Sequence, residues 1–286
     1  MWLIRTDNFA LQQVNNPENI SYAILSHVWD IGGEQSFQDI QKIHEEERRH
    51  HGGDDSDAYR EAVRRRISPK VRSFCDAASK DDFTLGWIDT CCIDKQSSAE
   101  LSEAINSMYA WYAHADICYA YLRDVPDDED PLSPYSAFLS SAWFTRGWTL
   151  QELIAPKNVM FLSARWSFLG TKNTLSDTIT TVTGISAGVL NHAVPLDSVP
   201  VATRMSWASK RVTTRVEDEA YSLMGVFGVN MPTLYGEGRS AFTRLQEEIL
   251  KRIPDQSLFY GRCQYLLGLS STVNDLRWCE WPPYDC

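Results

Sequence analysis

The chain has 286 residues, of which 43% are hydrophobic and 12% aromatic, and it carries a formal net charge of −11. That apolar content can build one large core, or a core plus an appended subdomain, and it excludes a disordered chain. The acidic balance repels phosphate backbones and so argues against general nucleic-acid binding.

The first residues, MWLIRTDNFALQQV, have no apolar signal core after a basic start. No stretch approaches the ~20 apolar residues that span a bilayer. The seven cysteines are odd in number and scattered, which fits reduced thiols better than a disulfide framework. A cytoplasmic protein without a membrane span is expected.

Tyr22–Ser26 reads as a short apolar strand running into His27, Val28 and Trp29. Residues 45–57 are almost wholly charged, His or Gly, and predict an exposed loop or frayed helix. A helix follows over 57–66. Ser68-Pro69 then supplies an N-cap and a first-turn proline, with Val71, Phe74, Cys75 and Ala78 at helical spacing. Residues 84–93 (TLGWIDTCCI) predict a central strand, apolar at nearly every position as in a doubly covered parallel sheet. Ser97 and Glu100 suggest a capping box before a helix whose face is marked by Leu101, Ile105, Met108 and Tyr112. Residues 116–125 predict the third strand and 127–134 an acidic loop.

Residues 141–155 predict a helix with an irregular start near Gly147, stopped by Pro156. A fourth strand over 158–162 and a weaker helix over 174–183, closed by Gly184, complete this part. Beyond residue 195 the pattern is helical, over 199–210, 217–227 and 238–252. The order β-α-β-α-β-α-β implies a parallel sheet with crossover helices. The expected division is an α/β core over 1–195, a helical part over 196–253 and a tail of uncertain order over 254–286.

Five blocks carry a resemblance: YAILSHVW at 22–29, WIDTCCIDK at 87–95, SAELSEAINSMYAWY at 98–112, WFTRGWTLQELIAP at 143–156 and RVEDEAYSLMGVFGVNMPTLYGEGRSAF at 215–242. They resemble the fungal heterokaryon-incompatibility (HET) family over about residues 1–252. The resemblance implies a module of allorecognition and immune-like programmed cell death. Larger members continue into a nucleotide-switch domain and repeats, so a sensor would act on this chain in trans. HET domains are in turn remotely similar to TIR domains. That implies a TIR-like (flavodoxin-like) parallel sheet flanked by helices, here with an α-helical C-terminal extension. In TIR enzymes that cleave NAD, a W-x-x-x-E helix supplies the catalytic glutamate. Trp148-Thr-Leu-Gln-Glu152 matches that pattern, and Tyr22–Ser26 matches the first TIR strand.

On a helix Trp148 and Glu152 share a face. The cleft should lie beyond the carboxyl ends of the strands, where Ser26, His27 and Trp29 end the first and Asp89 and Asp94 flank the second. Glu152 is the candidate catalytic residue. Ser26, His27, Trp29, Asp89 and Trp148 are the candidate substrate-binding residues. A carboxylate there can stabilise the oxocarbenium-like charge formed as the nicotinamide–ribose bond breaks, and an indole can stack on the cationic ring. That chemistry needs no metal and no cofactor, since NAD is the substrate.

Each residue also has a structural reading: Trp148 as core, Glu152 as a surface or capping acid, His27 as a satisfied structural histidine, Trp29 as packing, Asp89 and Asp94 as turn groups. Cys91 and Cys92 read as buried thiols, and as neighbours on a strand they point to opposite faces and cannot converge on one ion. Arg64–Arg66 and the set Arg204, Lys210, Arg211 and Arg215 are candidate nucleotide patches or solvated faces. Arg211, Arg215, Glu217, Asp218 and Glu219 suggest an ion-pair network bracing the helical part, or a supporting role behind the site. Two functions stay open: an NAD glycohydrolase that clusters into a homo-oligomer on activation, and a non-enzymatic scaffold that self-associates and recruits cell-death partners.

Overall fold

The computed structural model describes residues 1–52, 56–253 and 255. In chain order the strands are β1 (Trp2–Arg5), β2 (Leu11–Gln13), β3 (Ala23–His27), β4 (Leu85–Trp87), β5 (Ile117–Tyr121), β6 (Val159–Leu162) and β7 (Phe168–Thr171). Helices α1 (Phe37–His50), α2 (Asp57–Arg66) and α3 (Pro69–Lys80) lie between β3 and β4. Helix α4 (Ser98–His114) joins β4 to β5, and α5 (Thr149–Ile154) precedes β6. After β7 come α6 (Ser176–Thr183), α7 (Ala187–Leu190), α8 (Val201–Ala208), α9 (Asp218–Tyr221), α10 (Met224–Phe227) and α11 (Ser240–Arg252).

The sheet order among the described residues is β2-β1-β4-β3-β5-β6-β7. The four strands expected from the sequence form its parallel centre, β4-β3-β5-β6. Their order is second, first, third, fourth, the arrangement of flavodoxin-like sheets. The sequence reading assigned no strands to β1, β2 or β7, which pair antiparallel at the two flanks. The fold is α/β with a mixed, mostly parallel sheet. Every residue of β3 is buried, as a strand covered on both faces requires.

Several expected boundaries shift. Strand β4 stops at Trp87, and the chain turns from Ile88, where the Cys92 amide donates to the Ile88 carbonyl at 2.8 Å. Ile88, Cys91, Cys92 and Ile93 are buried in that turn. Burial rather than strand pairing accounts for the apolar run, so the opposite-face argument for the two cysteines does not apply. Both are buried free thiols, and the contact with Cys92 together with burial pushes the Cys91 thiol up.

Residues 45–50, expected in a loop or frayed helix, belong to α1. A reciprocal capping box between Ser36 and Asp39 opens that helix, and Phe37, Ile40, Ile43, His44 and Glu47 are buried along one face. At Ser97 only half of the expected box forms: its side chain accepts from the Glu100 amide.

The helix expected over 141–155 is broken. A 3-10 turn over Ala142–Thr145 is followed by an extended Arg146 paired with Val212, and only then by α5. Gly147 stands at the break: a Cβ there would meet the Thr213 Cγ2 methyl at 2.4 Å, so a larger residue would make that side chain shift where the 212–215 strap crosses. The strap is stitched down by Val212 N to Thr145 O at 2.7 Å and Gly147 N to Val212 O at 2.9 Å. The helix expected over 217–227 is likewise two short helices, α9 and α10. Gly225 of α10 packs against Tyr109 of α4, where a Cβ would come within 2.1 Å of the Tyr109 Cβ. One hydrophobic core, from Leu3 to Ile249, joins the sheet to these C-terminal helices. The expected tail over 254–286 lies, Asp255 apart, outside the described residues.

Candidate functional site

A cavity of about 250 Å³ opens at the carboxyl ends of the parallel strands. Five of the six expected site residues line it: His27, Trp29, Asp89, Trp148 and Glu152. It lies at the end of β3, beside the β3/β5 boundary where the strand order reverses, the position at which open α/β sheets bind ligands. A larger hollow, about 600 Å³, lies between Leu11 of β2 and α1, away from every expected site residue.

Glu152 occupies the inner wall. Helix α5 is buried along its whole length, so the carboxyl group is carried into the interior rather than to the surface. Ser26, at the end of β3, donates its hydroxyl hydrogen bond to Glu152 Oε2. Trp143 Nε1 in turn donates to Ser26 Oγ at 2.8 Å. Ser26 is fully buried beside Glu152 and is not part of the cavity wall, so it touches the acid rather than the hollow. Burial, seconded by the charge of Asp89, pushes the Glu152 carboxyl up to about 8; the Ser26 hydrogen bond, Arg146 and Tyr112 oppose that rise. The acid is therefore protonated in the empty cavity at neutral pH.

His27 is also buried, and its ring nitrogens have no hydrogen-bond partner among the described residues. Its Nε2 stands 3.7 Å from Glu34 and 3.9 Å from Asp89. Burial holds its pKa below the usual histidine range, so the ring is neutral at pH 7. Trp29 leaves the strand end at 41% exposure and is steadied by its indole N–H on Asp89 Oδ2 at 2.7 Å. Trp148 is half-buried at the start of α5, one turn from Glu152. Asp94 does not line the cavity; its carboxylate accepts from Gln38 and the Gln96 amide, the turn role considered for it.

The far wall is built by Arg215, Asp218 and Tyr235; the sequence marked the first two only as patch or ion-pair candidates and did not mark Tyr235. The Tyr235 hydroxyl donates to Asp218 at 2.8 Å, and Arg215 stacks 4.4 Å over the Tyr235 ring. Burial raises the Asp218 carboxyl, against the pull of Tyr235 and Trp148. Glu217 pins the loop that carries Tyr235 by accepting from the Gly236 and Gly238 amides at 2.8 and 3.1 Å. Of the expected ion-pair network only a longer-range part forms: the Arg215 charge acts on Glu217 and Asp218, with no salt bridge within 4 Å joining the cluster among the described residues. Arg211 instead lies buried against α5, donating to Thr149 Oγ1 and the Arg146 carbonyl.

Neither expected basic patch forms. Arg64, Arg65 and Arg66 pair with Asp76, Glu61, Glu46 and Glu47. Of the second set, Arg204 is buried over Phe227 and only Arg215 reaches the cavity. Among the described residues no cluster of three or more metal-ligating side chains occurs, and no helix is long and apolar enough to cross a membrane.

The family described as heterokaryon incompatibility protein (HET) matches residues 22–137, and a domain of unknown function (DUF8212) matches residues 240–272. Vegetative incompatibility protein HET-E-1 of Podospora anserina is 44% identical over 237 residues, an alignment that covers 80% of this chain and 16% of that protein. No solved structure matches. The matched blocks contain Ser26, His27, Trp29 and Asp89 of the site just described, and the chain belongs to the heterokaryon-incompatibility (HET) domain family.

Proposed function

We propose that this HET domain is an effector of heterokaryon-incompatibility cell death that cleaves the nicotinamide–ribose bond of NAD in the cavity around Glu152. The carrying observation is that Trp148 and Glu152, one helical turn apart, face the same hollow as His27 and Trp29. The strand order and the place of W-x-x-x-E along the chain support the TIR-like reading. A volume of about 250 Å³ is below the usual range for whole-ligand sites, which suits one end of a dinucleotide.

In the reaction the C–N bond breaks and its electron pair leaves with the nicotinamide nitrogen. The ribosyl cation left behind is stabilised by the Glu152 carboxylate. Water adds at the ribosyl carbon and loses a proton, giving ADP-ribose; attack by a hydroxyl of the ligand itself gives a cyclised product. Glu152 must be ionised to serve, and the positive nicotinamide ring arriving beside it lowers its pKa and releases its proton. Trp148 or Trp29 can stack on that ring, worth ~0.5–2 kcal/mol. His27, neutral and without a hydrogen-bond partner, can accept the proton of the attacking water.

The test is nicotinamide release from NAD by the purified chain, alone and under forced oligomerisation. Release that disappears in Glu152→Gln is expected, and clustering of copies should raise it. No turnover in any oligomeric state would leave the self-associating scaffold as the function.

A further inference from the structure

The cavity is divided by charge. Its acids, Glu152 and Asp218, are buried, with Asp89 half-buried beside them. Its mouth carries Lys95, Arg146 and Arg215, of which Lys95 and Arg215 are exposed and Arg146 half-buried. Among the described residues none of the three forms a salt bridge within 4 Å, although the chain has 38 acidic residues to 27 basic ones and several other arginines are paired. The Lys95 ammonium stands 4.0 Å from the Trp29 ring centroid and the Arg146 guanidinium 5.7 Å from it, so the two charges lie within about 10 Å of each other. Arg146 also reaches Thr214 at 3.5 Å, which ties it to the strap that ends in Arg215. Aromatic faces and a hydroxyl thus hold the three cations, and the charges of Arg146 and Arg215 reach Glu152, Glu217 and Asp218 only at longer range.

We infer that Lys95, Arg146 and Arg215 form a phosphate seat at the cavity mouth, which selects ligands bearing a phosphate or diphosphate next to the group that enters. The inference rests on the nucleotide reading of this cavity and adds what that reading leaves open, the handle by which the ligand is held. Guanidinium groups recognise phosphate through paired N–H donors, and lysine through its point charge. The buried acids take the cationic or polyol end, and the rim takes the anionic linkage. A nucleoside without phosphate engages only half of the site.

ADP-ribose keeps both phosphates and lacks the scissile bond, so titrating the full chain with it reads the seat apart from catalysis. Saturable binding is expected, weakened by salt and displaced by inorganic diphosphate. An Arg146→Gln/Arg215→Gln double variant should bind at least about tenfold more weakly. Lys95→Gln, a change at an exposed side chain, should weaken binding in the same direction, and an unchanged melting temperature shows that it folds. Failure of the unchanged chain to bind ADP-ribose, or equal binding by all variants, overturns the seat. NAD cleavage with unaltered KM in the double variant also overturns it and leaves the cleavage reading standing. Rim-dependent ADP-ribose binding without nicotinamide release upholds the seat and removes the cleavage.

Discussion

Replacing Glu152 by Gln should stabilise the empty protein, and increasingly so as pH rises. Folded Glu152 keeps its proton up to about pH 8, against an ordinary value of 4.5. Below pH 4.5 both the folded and unfolded chains hold that proton, and the group adds no pH dependence. Between 4.5 and 8 the unfolded chain binds fewer protons than the folded one, so stability falls as pH rises. Above 8 both states are ionised and the loss is complete. At 1.36 kcal/mol per unit, the shift amounts to about 3 kcal/mol at pH 7 and at most about 5 kcal/mol above pH 8. Glutamine keeps the shape and an acceptor for Ser26 but cannot ionise. Urea unfolding of both proteins at pH 5, 7 and 9 measures the difference, in which other titrating groups largely cancel. The stability gap should be small at pH 5 and widest at pH 9. A gap independent of pH would refute the argument that burial keeps this acid neutral.

Two further perturbations probe how the acid is held. Ser26→Ala removes the hydrogen bond that lowers the Glu152 pKa and strands the buried Trp143 N–H. It should cost about 1–3 kcal/mol and move the pH-dependent loss to higher pH; an unmoved profile would count against the Ser26 link. Lys172→Met removes a buried ammonium that donates to the Leu153 and Pro156 carbonyls at the end of α5. The Leu153 carbonyl loses that donor while the Pro156 carbonyl keeps His192 Nε2 at 3.1 Å, and a loss of about 1–3 kcal/mol, or several degrees in Tm, is expected by calorimetry. An unchanged melting curve would show that α5 does not depend on that cap.

The parallel centre of the sheet was legible because each of its strands is an apolar run between helical patterns, and β3 is buried at every position. The flanking strands were not: β2 exposes Gln12 and Gln13, and three or four residues at a sheet edge leave no periodic signal. Boundaries failed where burial imitated regular structure, as in the apolar turn after Trp87. They failed again at Gly147, where a chain crossing from residues 212–215 breaks a helix that local sequence favours. The inner site was legible through the spacing of Trp148 and Glu152 and the strand end at Ser26 and His27. Its other wall showed only as a charged cluster at Arg215 and Asp218, because Tyr235 is brought there by a loop whose anchors, Glu217 to Gly236 and Gly238, are purely tertiary.

That two-part construction bears on what the domain is. The HET family match ends at residue 137, yet Glu152 and the whole 215–235 wall lie beyond it. Residues 22–137 supply the strand ends, Trp29, Asp89 and Lys95, but not the acid opposite them. The C-terminal helices are not an accessory, because the strap at 212–215 forms the mouth and Arg211 plugs the space against α5. Gly225, set flush against Tyr109, fixes those helices to α4, the helix whose Tyr112 approaches Glu152 from behind. The unit that carries the site extends from the start of β3 to at least Tyr235, so the parts on either side of residue 195 build it together.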